Sequence, residues 1–197
     1  MIITVASYKG GVTKTTTAVH LAGYFQQKAP TLLVDGDRNR SASNWARRGD
    51  LPFKVVGVHQ SPRYTDFEHK IIDTQARPEK DDLKDLTEVC DLLIIPAIPE
   101  VQALETAMEM VEEFRKLEFS RYRILLTAVP PRPSKDGDEA RALLTELGVP
   151  IFSAEVRLLR APYQKASAEG VLVHQTKDRR GGIAWRDYVA VGQEIMK

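Results

Sequence analysis

The sequence predicts an α/β fold, a mostly parallel β-sheet flanked by helices on both faces. Short apolar, β-branched runs alternate with helix-period segments along the whole chain, as βαβ units do. Two of the runs, Thr31–Val34 and Leu92–Ile95, read as strands buried on both faces. The chain has 197 residues, so at roughly 150 residues per domain it reads as one domain over 1–197, and no linker is long enough to divide it.

Taken in order, Ile2–Ser7 is a first strand, and a glycine turn follows it. Val19, Leu21, Ala22 and Phe25 share one helix face, which makes Lys14–Lys28 a helix. After the strand Thr31–Val34 comes a short helix, Ser41–Arg48, stopped by Gly49. Phe53–Val58 is β-rich, and the strand His69–Ile72 leads into Asp73. Lys80–Val89 is helical, Leu92–Ile95 is a strand, Val101–Leu117 is a long helix and Arg123–Val129 is a strand. Pro130-Pro131-Arg132-Pro133 is an irregular connector. Asp138–Leu147 is a helix stopped by Gly148, Ile151–Ala154 a further strand and Ile183–Met196 a terminal helix. Each crossover between parallel strands is expected to be right-handed.

Hydrophobic residues make up 43% and charged residues 28%, which argues against disorder, collagen and coiled coil. One cysteine, Cys90, excludes an intrachain disulfide and any cysteine-ligated zinc or iron–sulfur centre. Leu92–Ile95 stops at Pro96, too short to span a bilayer, and the N-terminus lacks the regions of a signal peptide, so a cytoplasmic location is expected. The net charge of +1 is unevenly spread: residues 1–65 carry +6, 66–118 carry −9, 119–150 carry +1 and 151–197 carry +3. Solvated helix faces account for such a pattern, and so does a basic surface turned to a polyanion.

The chemistry begins at Lys9-Gly10-Gly11-Val12-Thr13-Lys14-Thr15-Thr16, between the first strand and the first helix. Small residues there let backbone N–H groups turn onto phosphate oxygens, and the helix N-terminus adds partial positive charge. Lys14 reaches β- and γ-phosphates, and the Thr15 hydroxyl is a Mg²⁺ ligand. Tyr8 and Thr13 stand where the plain Walker pattern has glycine, and Lys9 is an extra lysine. A β-branched Thr13 is strained if that position needs a positive φ.

The loop resembles the deviant Walker A motif of the ParA/MinD family of P-loop ATPases, and Leu32-Leu33-Val34-Asp35-Gly36-Asp37 resembles the family's second motif. Lys70-Ile71-Ile72-Asp73-Thr74 resembles Walker B. The resemblance covers almost the whole chain and is nearest to short ParA partition ATPases, with carboxysome-positioning McdA proteins a related possibility. It implies ATP and Mg²⁺ as cofactors. It also implies that Lys9 crosses a dimer interface to the nucleotide of the other subunit, that Asp37 orients the attacking water, and that Asp35 and Asp73 support the metal region, with Asp37 and Asp73 acting through water. Lys9, Lys14 and Asp37 are thus the catalytic candidates. The family continues its second motif with Pro-Gln where this chain has Arg38-Asn39, and it reads Asp-Thr-Pro where this chain delays the proline to Pro78. Thr127 stands where many relatives carry a base-contacting Asn.

The segment Val156–Ala161 resembles a late basic stretch associated with non-specific DNA binding, which makes Arg157 and Arg160 DNA candidates along with Lys165, Arg179 and Arg180. The implied activity is slow, partner-stimulated ATP hydrolysis. It would run in an ATP homodimer that binds double-stranded DNA, answers to a ParB-like or McdB-like adaptor, moves plasmid, chromosome or organelle cargo and sits on the nucleoid. A MinD-like membrane switch would need a basic amphipathic tail. The terminal helix, with Asp187 and Glu194 offsetting Arg186 and Lys197, reads instead as docked on the core. A ligase of the dethiobiotin-synthetase kind would lack Lys9, a bacterial tyrosine kinase would have a tyrosine-rich tail, and a nitrogenase-reductase-like ATPase would need more cysteines. Cys90, Trp45 and Trp185 read as packing residues, and the four histidines show no ligand spacing.

Overall fold

A computed structural model describes residues 1–78 and 80–197, and of Lys80 the backbone only. Six strands form one sheet in the order β3-β2-β4-β1-β5-β6. They are β1 Ile2–Ser7, β2 Thr31–Asp35, β3 Lys54–Gly57, β4 His69–Ala76, β5 Leu92–Ala97 and β6 Tyr122–Leu126. Every pairing among them is parallel. The helices are α1 Lys14–Gln26, α2 Ser41–Ala46, α3 Lys80–Val89, α4 Val101–Lys116, α5 Asp136–Glu146, α6 Arg160–Glu169 and α7 Gly181–Ile195.

The sheet separates two apolar layers. On one side Phe25, Leu33, Ile71, Phe152 and Tyr188 pack α1 and α7 against the strands. On the other, Leu83, Ile95, Met110, Phe114 and Leu126 join α3 and α4 to the sheet. β1 lies between β4 and β5. The chain winds out to opposite sides of it, which opens a crevice at the carboxyl ends of the central strands. Cys90 and Trp45 are buried packing residues, as the sequence predicts.

Two expectations fail. Ile151–Ala154 is not a strand: it makes a single bridge, Ile124 to Ile151. The N–H groups of Ser153 and Ala154 donate to the Glu194 carboxylate on α7, each at 2.9 Å, so the donors that would extend a ladder are diverted. Conversely, α6 is a helix the pattern hides. Its buried positions are only Pro162 and Ala166, so no apolar stripe announces it, and the proline sits in the first turn, where a missing N–H costs nothing. The apolar face of α7 is spent on the core, with Ala184, Tyr188 and Val191 fully buried. Among the described residues no helix is long and apolar enough to cross a membrane.

Candidate functional site

A cavity of about 820 Å³ opens where β1 hands over to α1. Lys9, Gly10, Gly11, Thr13, Lys14, Thr15 and Thr16 form one wall, and Asp37 stands across from them. A Cβ added at Gly10 or Gly11 would meet nothing within 4 Å, and Gly11 has φ +80°, so the backbone there lies open to the cavity. Thr13 does adopt the left-handed conformation, φ 67°. Its carbonyl accepts the Thr17 N–H at 2.8 Å, so the conformation turns the chain into α1. For a β-branched residue this costs about 1–2 kcal/mol. Val12 faces the other way, buried, and its carbonyl accepts from the Thr127 hydroxyl at 3.2 Å. Thr127 is thus engaged in holding the loop.

Beneath the loop, Lys14 donates from Nζ to Asp73 Oδ1 at 3.2 Å and to the Thr74 carbonyl. Asp73 is fully buried, and its Oδ2 makes no hydrogen bond. Burial pushes its carboxyl up to about 6, against the pull of the Lys14 ammonium. A buried carboxylate oxygen without a partner fits a site completed by a metal-bound water. Among the described residues no cluster of three or more His, Cys, Asp or Glu forms a metal cage. A Mg²⁺ ion held mainly by phosphates and waters needs none.

The other carboxylates are placed differently. Asp35 does not line this cavity. Its Oδ2 accepts the N–H and hydroxyl of Ser43 at 2.7 and 2.6 Å, and its Oδ1 accepts the Asp37 N–H at 3.2 Å, which anchors the loop to α2. Asp37 lines the cavity, with its oxygens taken by its own loop: Asn39 N–H at 3.1 Å on Oδ1 and the Ser41 hydroxyl at 3.1 Å on Oδ2. Lys9 sits on the rim, 3.7 Å from Glu100 Oε2 at the start of α4. In the segment between Asp73 and Pro78, Arg77 has φ 54°, its backbone N–H donates to the Ser7 carbonyl and its Nε to the Tyr8 carbonyl, both at 3.2 Å. The loop after Walker B is thereby fastened to the start of the phosphate loop.

The far wall is Val156–Arg160 with Tyr163, Gln164 and Tyr188. Arg157 and Arg160 therefore border the cavity, and both are also exposed to solvent. Arg157 is bound from Nε to both oxygens of Asp187 at 3.1 Å, which hangs this wall on α7. Lys165 and Arg180 meet at Asp178, each 3.5 Å away. Arg160 and Arg179 have no ion pair among the described residues. Tyr188 shares a 3.2 Å hydrogen bond with Thr17, one turn into α1. His20 lies behind it, fully buried. Its Nδ1 donates to the Thr16 carbonyl at 2.7 Å and its Nε2 accepts the Val173 N–H at 3.1 Å, which fixes the neutral ring. Tyr188, Tyr163 and Glu100 belong to no motif, and only the fold brings them here.

A glycine-lined helix start with a lysine, a carboxylate from the neighbouring strand below it and a parallel sheet define a P-loop nucleotide-binding protein. Residues 3–173 match the family model described as the CobQ/CobB/MinD/ParA nucleotide binding domain, and the chain belongs to this family of ParA/MinD-type ATPases. It is 32% identical to "Maintenance of carboxysome distribution protein A" of Gloeobacter kilaueensis, over 98% of this chain and 93% of that one. It is 28% identical to "Protein ParA" of Rhizobium radiobacter, over 93% of this chain and 89% of that one. Among solved structures, the ATP complex of Cyanothece McdA superposes with a TM-score of 0.81 at 16% identity, covering 99% of this chain and 96% of that one.

Proposed function

We propose that this protein is an ATP-driven positioning ATPase. It pairs as a nucleotide-sandwich homodimer, holds double-stranded DNA without sequence preference in its ATP state, and hydrolyses ATP when an adaptor of the ParB or McdB kind docks. The observation that carries the reading is the single cavity shared by Lys9, Lys14 and Asp37, with Asp73 directly beneath Lys14. The backbone from Gly10 to Thr16 cradles phosphates, Lys14 balances their charge, and Thr15 with Asp73, through water, holds Mg²⁺. The metal's contribution is charge neutralisation at the transferred phosphoryl group. Asp37 orients the attacking water once its carboxylate leaves Asn39 and Ser41. Lys9, free of Glu100, reaches the nucleotide of the second subunit.

DNA contact is assigned to Arg160 and Arg179 first. Arg157, Lys165 and Arg180 share the acids Asp187 and Asp178, so they offer a phosphate backbone less unbalanced charge. A two-fold dimer doubles these contacts on one face, and each neutralised phosphate adds about −0.9 to the slope of log affinity against log salt. No groove-reading element is present in this segment, so contacts fall on the backbone. The deciding experiment compares retention on an arbitrary duplex with ATP and with ADP. ATP-dependent retention, weakened by Arg160→Ala with Arg179→Ala while the ATP dimer persists, supports the reading. A protein that never binds DNA with ATP refutes it. Cargo segregation and nucleoid association follow from the same cycle.

A further inference from the structure

Phosphates seated on Gly10 to Thr16 leave the sugar and base of a nucleotide to the rest of the cavity. Asp37 and Glu100 belong to its reacting end and its rim. The remaining wall is lined by Ala128, Pro130, Val156, Leu158 and Leu159, all apolar. An apolar slot with few polar groups suits a flat aromatic ring, and the polar groups it does hold fix which ring.

The slot is firmly built. The chain leaving β6 is zipped to the far wall: the Val156 N–H donates to the Leu126 carbonyl at 2.9 Å, the Val129 N–H to the Val156 carbonyl at 3.0 Å and the Leu158 N–H to the Val129 carbonyl at 2.8 Å. Within this zipper Ala128 is held at φ 49°, a conformation that a residue with a side chain keeps only where its surroundings enforce it. The first turn of α5 presses on the same strand end. A Cβ at Gly137 would lie 2.5 Å from a methyl group of Val129, so glycine is what permits the approach. The residue before it, Asp136, thereby becomes part of the cavity wall.

Among the described residues the Asp136 carboxylate has neither an ion pair nor a hydrogen bond, although its backbone N–H donates to the Ser134 hydroxyl at 3.2 Å. Asp138, two residues on, meets Arg132 at 3.6 Å. Asp136 is therefore an uncommitted acceptor beside an apolar slot. Arg157 and Arg160 border the cavity as well, but a guanidinium only donates and cannot accept from an amino group. Gln164 on α6 is the other side chain of this wall whose oxygen can accept.

We propose that Asp136 selects the base: its carboxylate accepts a hydrogen bond from the 6-amino group of an adenine lying in the slot, and it disfavours a 6-oxo purine, whose oxygen would face it with no proton between. The proposal rests on the nucleotide-binding reading and adds to it the side chain that tells one purine from another. A plainer role for Asp136 is that of a first-turn acid stabilised by the α5 dipole, a role that Asp138 and Glu139 share. The two roles differ in what they do to a ratio of affinities.

The test uses the full chain with Mg²⁺ and measures displacement of a fluorescent ADP analogue by ADP, inosine diphosphate, GDP and 2′-deoxy-ADP, so neither hydrolysis nor dimerisation enters. The parent protein is expected to prefer ADP over inosine diphosphate by about ten-fold or more, as loss of a hydrogen bond to a charged group implies. Asp136→Asn should cut that ratio to about three-fold or less, because a carboxamide can turn its NH₂ to a 6-oxo group. Asp136→Ala should weaken ADP while leaving inosine diphosphate nearly unchanged, and Gln164→Ala should leave the ratio as it was. A ratio that survives both Asp136 variants overturns the proposal, and a fall in melting temperature with that ratio intact marks the first-turn role alone. A ratio that follows Gln164 overturns it as well. So does GDP bound as tightly as ADP through Asp136, because the carboxylate then pairs with the N1–N2 edge of guanine. If Asp136→Ala instead erases a preference for ADP over 2′-deoxy-ADP, the carboxylate holds the sugar and the assignment to the base is wrong. Failure of the parent to bind the analogue or any of the four nucleotides would sink the nucleotide-binding reading itself, and the base assignment with it.

Discussion

The floor and the rim of the nucleotide cavity are built differently. The floor is Lys14 over Asp73, both buried, with side chains 9% and 0% exposed and 3.2 Å apart. The rim pairs Lys9 with Glu100 at 3.7 Å, with side chains 27% and 66% exposed, and holds Asp37 by bonds to its own loop. A buried pair is costly to break, because removing one partner strands the other charge away from water. An exposed pair is worth about 0–1 kcal/mol and is screened by salt. The difference assigns the tasks. What must be in place before any nucleotide arrives is fixed by the core. What changes in the proposed cycle, namely Lys9 crossing to a second subunit and Asp37 turning to water, would be held by contacts weak enough to exchange.

The largest effect is expected at the floor. Lys14→Ala removes the charge that faces the phosphates and leaves Asp73 buried without a partner, so binding of a fluorescent ATP analogue should vanish. A variant that still binds would place the anchor elsewhere. Next comes Asp37→Ala, which should retain the analogue and hydrolyse ATP about 10²–10⁴-fold more slowly, with ATP dimers accumulating. Unchanged turnover would remove Asp37 from the reaction. Lys9→Ala should bind ATP as a monomer, and a normal ATP dimer in sedimentation would refute the crossing role.

A pH series separates the floor from its surroundings. The Asp73 carboxyl sits at about 6 in the fold, so between about pH 6 and pH 4 the folded chain holds that proton more tightly than the unfolded one, and this contribution stabilises as pH falls. His20 opposes it. Burial lowers its pKa to about 4, so the unfolded chain takes the proton first and stability is lost as pH falls from about 6.5 to about 4. Asp73→Asn should therefore lose melting temperature more steeply than the parent over this acid window. Equal slopes would mean that Asp73 titrates like an exposed carboxyl. The smallest effect belongs to the rim: Glu100→Gln frees Lys9 and should lower the ATP concentration needed for dimerisation by no more than about five-fold, within the value of an exposed pair. A large effect, or none of this sign, would show that Glu100 does more than hold Lys9.

The floor was legible in the sequence because its parts are local. Lys9 to Thr16 is one contiguous run between a strand and a helix, and Asp73 follows directly on the apolar residues Ile71 and Ile72 that announce its strand. The positive φ at Thr13 was foreseeable for the same reason, since the loop's geometry is set by its own few residues. The far wall was not legible. Tyr188 meets Thr17, 171 residues away in sequence, and no spacing rule carries that distance. The charge of the late basic stretch was visible, but its neutralisation was not, because Asp187 answers Arg157 from 30 residues further along. The two errors in the elements have opposite causes: at Ile151–Ala154 a tertiary partner, Glu194, overrides an apolar pattern, whereas α6 buries only Pro162 and Ala166 and so has no apolar pattern to read.

One feature of the sheet sets a tolerance for the whole site. β2 and β4 run side by side with Asp35 opposite Asp73, and β1 aligns Val5 with the same residue. The sheet is thus a ruler, and Asp73 is a mark on it. Deleting one residue from β4 upstream of Asp73 would leave every backbone pairing available while bringing a different side chain under Lys14. Because faces alternate along a strand, that side chain would come from the opposite face. The hydrogen-bonded scaffold can survive such a slip in outline, whereas the nucleotide floor cannot. Insertions and deletions in this strand should therefore be far less permissible than conservative substitutions along it.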